Sequence, residues 1–367
     1  MTVVIMQKVR IGVVGAGLIG QVEHIPNLKH LSRHFELVGI AEASPQMRAE
    51  LGTRGFKTFP DYRELLLEPI DALLIAAPDQ FHTEITLAAL AVGKHVFCEK
   101  PLSFSVGEAE EIAKARDKAG RVLQVGYMKR FDPAYEKLLT MLPKDGKGLR
   151  MISVEVQDPD SWPFNQHQGD FVKASDLPQG VVDQGRAMRD AQVQRATGRN
   201  LSKADLWGYT NSYCSSLIHD INAVHGMLDV MNVKAGAVVG AAFFAEGDGG
   251  HGSVRLDGKA LWQMTHLFVP HVGGYKERIT LYFDDRVYEL TFPSPYLNHF
   301  PTKLTVQRSN GNVLETADLT VSYEEPFQRE LLGFWASVAQ GAPVRNTVEG
   351  AITDLKLVAR LTEKALA

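Results

Sequence analysis

Two hydrophobic patterns divide the chain near residue 130. In the first part, short continuous apolar runs alternate with segments whose apolar positions repeat every three to four residues. The runs are typical of buried parallel strands, and the segments between them are typical of helices of about 10–15 residues. The alternation predicts βαβ units with a parallel sheet. The predicted strands are Val9–Val14, Glu36–Ala41, Asp71–Ala76, Lys94–Phe97 and Arg121–Val125.

The pattern changes after about residue 147. Leu149–Asp158 alternates as a half-exposed strand does, Tyr213–Leu228 reads as a helix, and Glu324–Gln340 and Thr347–Ala365 read as two closing helices. Several strand-like runs without intervening helices predict an open, mostly antiparallel sheet. These runs cover residues 236–245, 251–257, 260–269, 276–283, 286–292 and 303–308. We therefore expect an α/β domain over 1–130 and an α+β domain over 131–367, with the last helix a candidate to pack back on the first domain.

A polar stretch over 159–211, punctuated by Pro and Gly, interrupts the second part. A connection of this length is often a functional lid or contains structure of its own, and Arg186–Gly198 fits a helix within it. Two interpretations remain open at this stage. The insertion caps a substrate, or it forms a contact between subunits.

Composition excludes several classes of protein. The chain has 367 residues, of which 45% are hydrophobic and 22% charged, as in soluble globular enzymes. Its formal net charge of −4 provides no basic excess for nucleic acid. Its two cysteines cannot form a disulfide framework. Apolar runs fall short of the roughly 20 residues that span a bilayer, and we recognise no signal peptide, so we expect a cytoplasmic protein with neither a membrane nor a nucleic-acid partner.

A glycine-rich turn directly after the first strand carries the clearest chemical signal. Gly15, Gly17 and Gly20, with Leu18 and Ile19 between the last two, fit G-x-G-x-x-G. The turn opens a helix, and Glu42 follows at the end of the second strand, which is the context of a dinucleotide-binding fingerprint. A carboxylate at that position binds the adenosine ribose diol and repels a 2′-phosphate, so we expect NAD rather than NADP.

The next two predicted strand ends add further candidates, since strand carboxyl ends line the crevice of an open α/β sheet. Ala77 and Pro78 are predicted to face the cofactor. His82 either contacts the cofactor or bonds to local backbone. Glu99, Lys100 and Pro101 form an unusual sequence at the following strand end, where Pro101 restrains Lys100 and the bond between them is a candidate for the cis form.

At this point the chain resembles the Gfo/Idh/MocA oxidoreductases, the glucose–fructose oxidoreductase and inositol dehydrogenase family. The resemblance extends over essentially the whole chain, in family order. It rests on the glycine motif with its acid, Ala77-Pro78 with His82, Glu99-Lys100-Pro101, the segment 126–133 (GYMKRFDP), the segment 218–222 (IHDIN) and the closing stretch 343–350.

The resemblance implies an N-terminal Rossmann domain and an enzyme that oxidises a secondary alcohol of a sugar or cyclitol with NAD(P). It implies that Lys100 is the active-site lysine, that Glu99 lies near the nicotinamide ribose, and that His219 is the catalytic histidine. A histidine suits the base that removes the hydroxyl proton, and Lys100 is its electrostatic partner or an alternative base. The family often has Asp four residues before this His, whereas this chain has Ser215. Asp183 and Asp220 are candidates to replace it.

A polyol site brings polar and aromatic side chains to the crevice. We expect an uncharged or acid-bearing sugar, a glycoside or a cyclitol, no metal site, and a homodimer or homotetramer. Two other functions stay open: an NAD-assisted internal redox cleavage of glycosides, and a non-catalytic NAD sensor. The predicted substrate residues are Tyr127, Lys129, Arg130, Trp162, Asp183, Ser215 and His219, with Asn165, His167, Arg186 and Tyr296 as further candidates.

Overall fold

The structure is a computed structural model that describes residues 7–167 and 171–367. The chain forms two compact units that no single cut separates. We expected a boundary near residue 130; the chain leaves the first unit at 126, and later segments return to it. The first unit comprises residues 1–126, 168–196 and 327–352, and the second comprises 127–167, 197–326 and 353–367.

The first unit contains a parallel sheet in the order β3-β2-β1-β4-β5-β6. This is the order of a dinucleotide-binding Rossmann sheet, as the sequence predicted. Within the described sheet, only β3 was not predicted, because two residues carry no periodic signal. The strands are β1 (Val9–Val14), β2 (Phe35–Ala41), β3 (Thr58–Phe59), β4 (Ala72–Ile75), β5 (His95–Glu99) and β6 (Leu123–Gly126).

Helices connect and cover the strands, and several begin at the caps that the sequence indicated. Ser44 accepts a hydrogen bond from Met47 N at 3.0 Å before Pro45, and Thr347 accepts one from Gly350 N at 3.1 Å. In the described chain the α-helices are α1 (Ile25–His30), α2 (Pro45–Thr53), α3 (Tyr62–Leu66), α4 (His82–Ala91), α5 (Val106–Ala119), α6 (Pro133–Met141), α7 (Trp162–Asn165), α8 (Gln179–Thr197), α9 (Lys203–Trp207), α10 (Ile218–Met231), α11 (Pro326–Gln340) and α12 (Val348–Ala365). π-Helical segments over Gly20–His24 and Gly208–Leu217 lead into α1 and α10.

The second unit contains a sheet in the order β14-β13-β12-β11-β7-β10-β9-β8. Among its described pairs only β7 and β10 run parallel, so the predicted mostly antiparallel sheet is confirmed. Strand β14 was missed because its side chains are mostly exposed and show no apolar face. The strands are β7 (Leu149–Asp158), β8 (Ala235–Phe244), β9 (Gly249–Leu256), β10 (Leu261–Phe268), β11 (Lys276–Phe283), β12 (Arg286–Phe292), β13 (Lys303–Asn310) and β14 (Val313–Thr320).

The core of the first unit includes a helix from the end of the chain. Leu331, Phe334 and Trp335 of α11 pack among side chains of β1, β2 and β5. Trp335 Nε1 donates to the Gln7 carbonyl at 3.0 Å. Of the two closing helices, α11 therefore packs on this sheet, whereas residues 353–365 of α12 belong to the second unit. No helix within the described residues has the length and apolar character to span a bilayer.

Candidate active site

The glycine loop lies at the carboxyl end of β1. Its three glycines differ in what a Cβ atom would meet at each position. Gly15 has φ +95°, and a Cβ there would lie 2.5 Å from the Ala76 carbonyl oxygen. A Cβ on Gly20 would lie 2.6 Å from the Gly15 carbonyl oxygen. Gly17 differs from both, since no described atom lies within 4 Å of its Cβ position. The loop thus presents bare backbone to open space, which fits a dinucleotide pyrophosphate.

Glu42 lies beside this loop at the end of β2. Its carboxylate accepts hydrogen bonds from Ala16 N and from Ser44 N, both at 2.8 Å. The carboxylate therefore connects β2 to the glycine loop and is held, half-buried, at the edge where an adenosine ribose would lie. The predicted position of the acid is found, and ribose binding by Glu42 stays a prediction.

The segment after β4 brings Ala77 and Pro78 to the same edge of the sheet, and both keep some exposure. His82 is completely buried, with Nδ1 2.7 Å from the Pro101 carbonyl oxygen and Nε2 2.9 Å from the Ala77 carbonyl oxygen. The contact with Ala77 is the local backbone bond of the alternative interpretation, whereas Pro101 lies 19 residues further along the chain. Contact between His82 and a cofactor stays a prediction.

The ring of His82 faces two acceptors, so a doubly protonated imidazolium satisfies both. Burial by itself lowers the pKa of His82, but Cys98, Asp79 and the Pro101 carbonyl outweigh it and raise the pKa to about 10. The two ring contacts of His82 tie the end of β4 to the segment after β5.

Glu99 and Lys100 come at the end of β5, and the Lys100–Pro101 bond is cis. Glu99 is 6% exposed, and its Oε1 lies 2.6 Å from Nε2 of His24. Burial favours the neutral carboxyl, but the hydrogen bond from His24 and the charge of Lys100 outweigh burial and lower the pKa of Glu99. Glu99 is thus an anion beside the half-buried Lys100, at the strand end that lines the crevice.

Tyr127 and His219, predicted separately, lie together in the second unit. Their ring centroids are 6.3 Å apart with a T-shaped angle of 85°. His219 is the second residue of α10, directly after the π-helical segment, whereas Tyr127 is almost completely buried. Ser215 lies in that π-helical segment and is half-buried, as His219 is. Long π-helical segments are rare and occur frequently at functional sites.

Lys129 is buried in the second unit, and contact between Lys129 and substrate stays a prediction. It is 2% exposed, and Nζ lies 2.8 Å from Asp220 Oδ1 and also pairs with Glu277. Burial and the charge of Glu277 raise the pKa of Asp220 to about 8 against the opposing effect of Lys129. Tyr275 donates to the other oxygen of Glu277 at 2.8 Å. Lys129 is therefore enclosed by Asp220 and Glu277 in the interior, and replacement of the missing Asp by Asp220 stays a prediction.

The other predicted substrate residues come from different elements of the chain. The Arg130 guanidinium donates to the Asn222 carbonyl at 2.6 Å and is half-buried. Trp162 is 51% exposed on α7 of the second unit. Asp183 is exposed on α8, accepts from Gln179 at 2.9 Å and belongs to the first unit. The predicted insertion over 159–211 is therefore divided between the two units.

Sequence reasoning missed three charged partners. His24 was assigned only to a helix face, Glu277 only to a strand, and Asp354 only to a closing helix. Asp354 accepts from Asn222 at 2.7 Å and lies 2.6 Å from His225 Nδ1. The available signal was a charged residue at a position whose periodicity predicts burial. Across residues 7–167 and 171–367, no three His, Cys, Asp or Glu side chains converge as metal ligands would.

Comparison with known proteins agrees with this geometry. Residues 9–127 match the family model of the Gfo/Idh/MocA oxidoreductases, described as an NAD-binding Rossmann fold. An inositol 2-dehydrogenase of Saccharopolyspora erythraea is 31% identical over 191 residues, which are 51% of this chain and 56% of that protein. A myo-inositol 2-dehydrogenase of Thermotoga maritima is 35% identical over 172 residues, covering 45% and 49%. The chain thus spans about half the length of the curated relatives it matches.

Solved structures extend the likeness of fold to the whole chain. A 3-ketoreductase from Actinomadura kijaniata, in complex with NADP and TDP-benzene, has a TM-score of 0.72, 19% identity and 98% coverage of both chains. The fold and the glycine loop define a Rossmann-type protein with a second antiparallel sheet. Its residues 9–127 match the Gfo/Idh/MocA family model, which confirms over that part of the chain the resemblance stated from the sequence.

Proposed function

We propose that the protein is an NAD-dependent dehydrogenase that oxidises a secondary alcohol of a sugar, glycoside or cyclitol to a ketone. One observation carries the proposal. The glycine loop and the Glu99-Lys100 segment lie at the same edge of the Rossmann sheet, and the hydrogen bond between His24 and Glu99 connects them. The loop that fits a dinucleotide and the segment that carries Lys100 are thus linked at one edge of the sheet, which supports a site that positions a cofactor for hydride transfer.

The choice of NAD rests on Glu42. Its carboxylate lies at the end of β2 and is held by two backbone donors. A 2′-hydroxyl can donate to such a group, whereas a 2′-phosphate is repelled by it. Gly15, Gly17 and Gly20 leave the backbone bare for the pyrophosphate. When bound, the nicotinamide ring supplies a hydride acceptor at C4.

The chain itself then has to bind the substrate hydroxyl and remove its proton. We assign His219 as the general base, since a histidine titrates near neutrality and this one keeps partial exposure beside the Tyr127 ring. Lys100 stabilises the oxygen on which negative charge develops. The anionic Glu99 holds the backbone of Lys100 through a hydrogen bond of 3.2 Å. Ser215 offers a hydroxyl where the family often has a carboxylate. The orientation of His219 therefore depends less on a neighbouring negative charge.

Among substrates we place cyclitols first. The relatives from Saccharopolyspora erythraea and Thermotoga maritima, each more than 30% identical, are named inositol dehydrogenases. The aromatic ring of Tyr127 and the hydroxyl of Ser215 suit a neutral polyol, which is recognised by stacking and hydrogen bonds. The half-buried Arg130 is engaged with a backbone carbonyl and is not presented as a phosphate site.

The test is NADH absorbance at steady state with purified protein across inositols, free hexoses, glycosides and sugar acids, with NADP in parallel. We expect NAD-dependent turnover with an inositol or a related polyol. Lys100→Met and His219→Asn should each lower kcat at least 100-fold, in keeping with the roughly 10²–10⁴-fold contribution of general acid–base groups. Exposed Lys118→Met and His271→Asn are the matched controls and should keep normal rates. Near-normal turnover in both site variants would refute the assignment.

If no compound in the panel gives NADH while NAD still binds, one of the other two functions is favoured. Turnover of a glycoside without net NADH would indicate internal redox cleavage. Binding without any turnover would indicate a sensor.

A further inference from the structure

A short segment of the insertion, residues 171–176, lies along the cofactor edge of the Rossmann sheet. We name it the strap. The side-chain amide of Gln21, on the helix that follows the glycine loop, bonds both backbone groups of Val172, at 2.9 Å and 3.0 Å. Val172 and Ala174 pack against the apolar core of the first unit. The strap is therefore anchored at the carboxyl end of β1, beside the loop that would hold the pyrophosphate.

The end of the strap reaches the region beyond β2. The Asp176 carboxylate accepts from the Ser44 hydroxyl through one oxygen and from Gln46 N, at 2.7 Å, through the other. Ser175 N donates to the Gln46 side chain at 3.3 Å. The hydrogen bond from Ser44 lowers the pKa of Asp176, so the group is an anion at neutral pH. The insertion thus places a second carboxylate against Ser44, which comes two residues after Glu42.

The donors that Asp176 occupies are those that a phosphate would use. Ser44 is the N-cap of α2 and Gln46 N is one of the unpaired amides of its first turn. Arg48, whose positive charge also acts on Asp176, is held one turn further on by the Glu42 and Ala43 carbonyls, at 2.7 and 2.9 Å. In Rossmann folds the acid binds the ribose 2′-hydroxyl of NAD, while a nearby Arg accommodates the 2′-phosphate of NADP. A hydroxyl and an amide therefore lie near a guanidinium here, and Asp176 accepts from both of these donors.

We propose that Asp176 is a specificity-determining residue that excludes NADP by occupying the donors that would bind its 2′-phosphate. This inference rests on the proposed function, since it assumes that a nicotinamide dinucleotide binds at the glycine loop. Glu42 and Asp176 then act on different atoms. Glu42 accepts from the ribose hydroxyl, whereas Asp176 accepts from the Ser44 hydroxyl and the Gln46 amide and offsets the charge of Arg48.

The experiment compares Kd values for NADH and NADPH with the purified full chain, measured by fluorescence or calorimetry. We expect the native protein to prefer NADH at least tenfold. Asp176→Ala and the isosteric Asp176→Asn should tighten NADPH at least tenfold and change NADH less than threefold. The control Asp190→Ala removes the same charge from an exposed position of α8 and should leave the ratio unchanged. Adding Arg48→Ala to Asp176→Ala should abolish the gain for NADPH.

Three results would overturn the proposal. If neither Asp176 variant changes the ratio while NADH binds the native protein, the specificity role fails and the dehydrogenase proposal stands. If both dinucleotides weaken together in the Asp176 variants, the strap supports binding in general and does not select. If the native protein binds neither dinucleotide, the proposed function fails together with this inference. Melting temperatures of the two Asp176 variants show whether each is folded.

Discussion

Nε2 of His24 lies 2.6 Å from Oε1 of Glu99, and this bond joins the helix after the glycine loop to the segment that carries Lys100. The side chain of His24 is fully buried and that of Glu99 is 8% exposed. A buried carboxylate held by such a hydrogen bond becomes costly when its partner is removed. The pair therefore couples the cofactor loop to the predicted catalytic lysine.

Replacement of His24 tests this coupling. His24→Ala leaves Glu99 buried without its partner, so we expect a loss of about 3–5 kcal/mol in the free energy of unfolding and at least a tenfold fall in kcat. His24→Gln keeps a donor and should recover part of both. Denaturant unfolding and steady-state kinetics measure the two effects. His30→Ala, on the exposed face of the same helix, is the control. Equal effects of the two alanine variants would argue against a coupling role.

Gly17→Ala separates binding from folding. Its Cβ meets no described atom within 4 Å, so stability should change by less than about 1 kcal/mol. The same Cβ projects from the face that has to approach the pyrophosphate, so we expect NADH affinity to fall at least tenfold in fluorescence titration. Gly52→Ala on α2, which is equally uncrowded, should leave both quantities near normal. Unchanged NADH affinity in Gly17→Ala would place the dinucleotide elsewhere.

Lys129→Met tests the buried charge cluster of the second unit. The substitution leaves Asp220 and Glu277 without their cation, so we expect a loss of about 3–5 kcal/mol at neutral pH. The loss should shrink as the pH falls, because protonation removes the uncompensated charges. Combining Lys129→Met with Asp220→Asn and Glu277→Gln should restore part of the stability. Urea unfolding at several pH values measures this.

A control for that measurement lies on β11. Lys276 pairs with Glu155 while both side chains stay more than a third exposed. Lys276→Met should cost no more than about 1 kcal/mol, since exposed ion pairs contribute little. If Lys129→Met and Lys276→Met lost a similar amount of stability, burial would not explain the contribution of the Lys129 cluster.

The raised pKa of His82 predicts that the stability of the first unit depends on pH. The folded state raises the pKa of His82 from the ordinary 6.5 to about 10, so the folded protein binds the proton more tightly than the unfolded chain. The contribution is fully present below pH 6.5 and is lost as the pH rises towards 10, by about 1.4 kcal/mol per unit. His82→Asn should remove this slope from urea unfolding curves. A native His82 that titrates near 6.5 by NMR would contradict the expectation.

Much of the fold followed from local pattern. Val9–Val14 was predicted to the residue because a buried parallel strand is a continuous apolar run, and the caps at Ser44 and Thr347 were predicted because they depend on neighbouring residues. The positions of Gly15, Gly17, Glu42 and Lys100 at strand ends followed in the same way. Strand β14 was missed, since an exposed strand contributes no hydrophobic period.

The sequence by itself determined the class of protein, because the glycine motif, the following acid and the Glu-Lys-Pro segment are local signals whose chemistry depends on a few adjacent residues. Tertiary structure alone decided which charges pair. Lys129 was predicted to contact substrate, yet the fold buries it against Asp220 and Glu277, which come 91 and 148 residues later. Asp176 likewise reaches Ser44 from 132 residues away. Such pairings depend on how segments pack in space, and packing over these separations leaves no periodic trace along the chain.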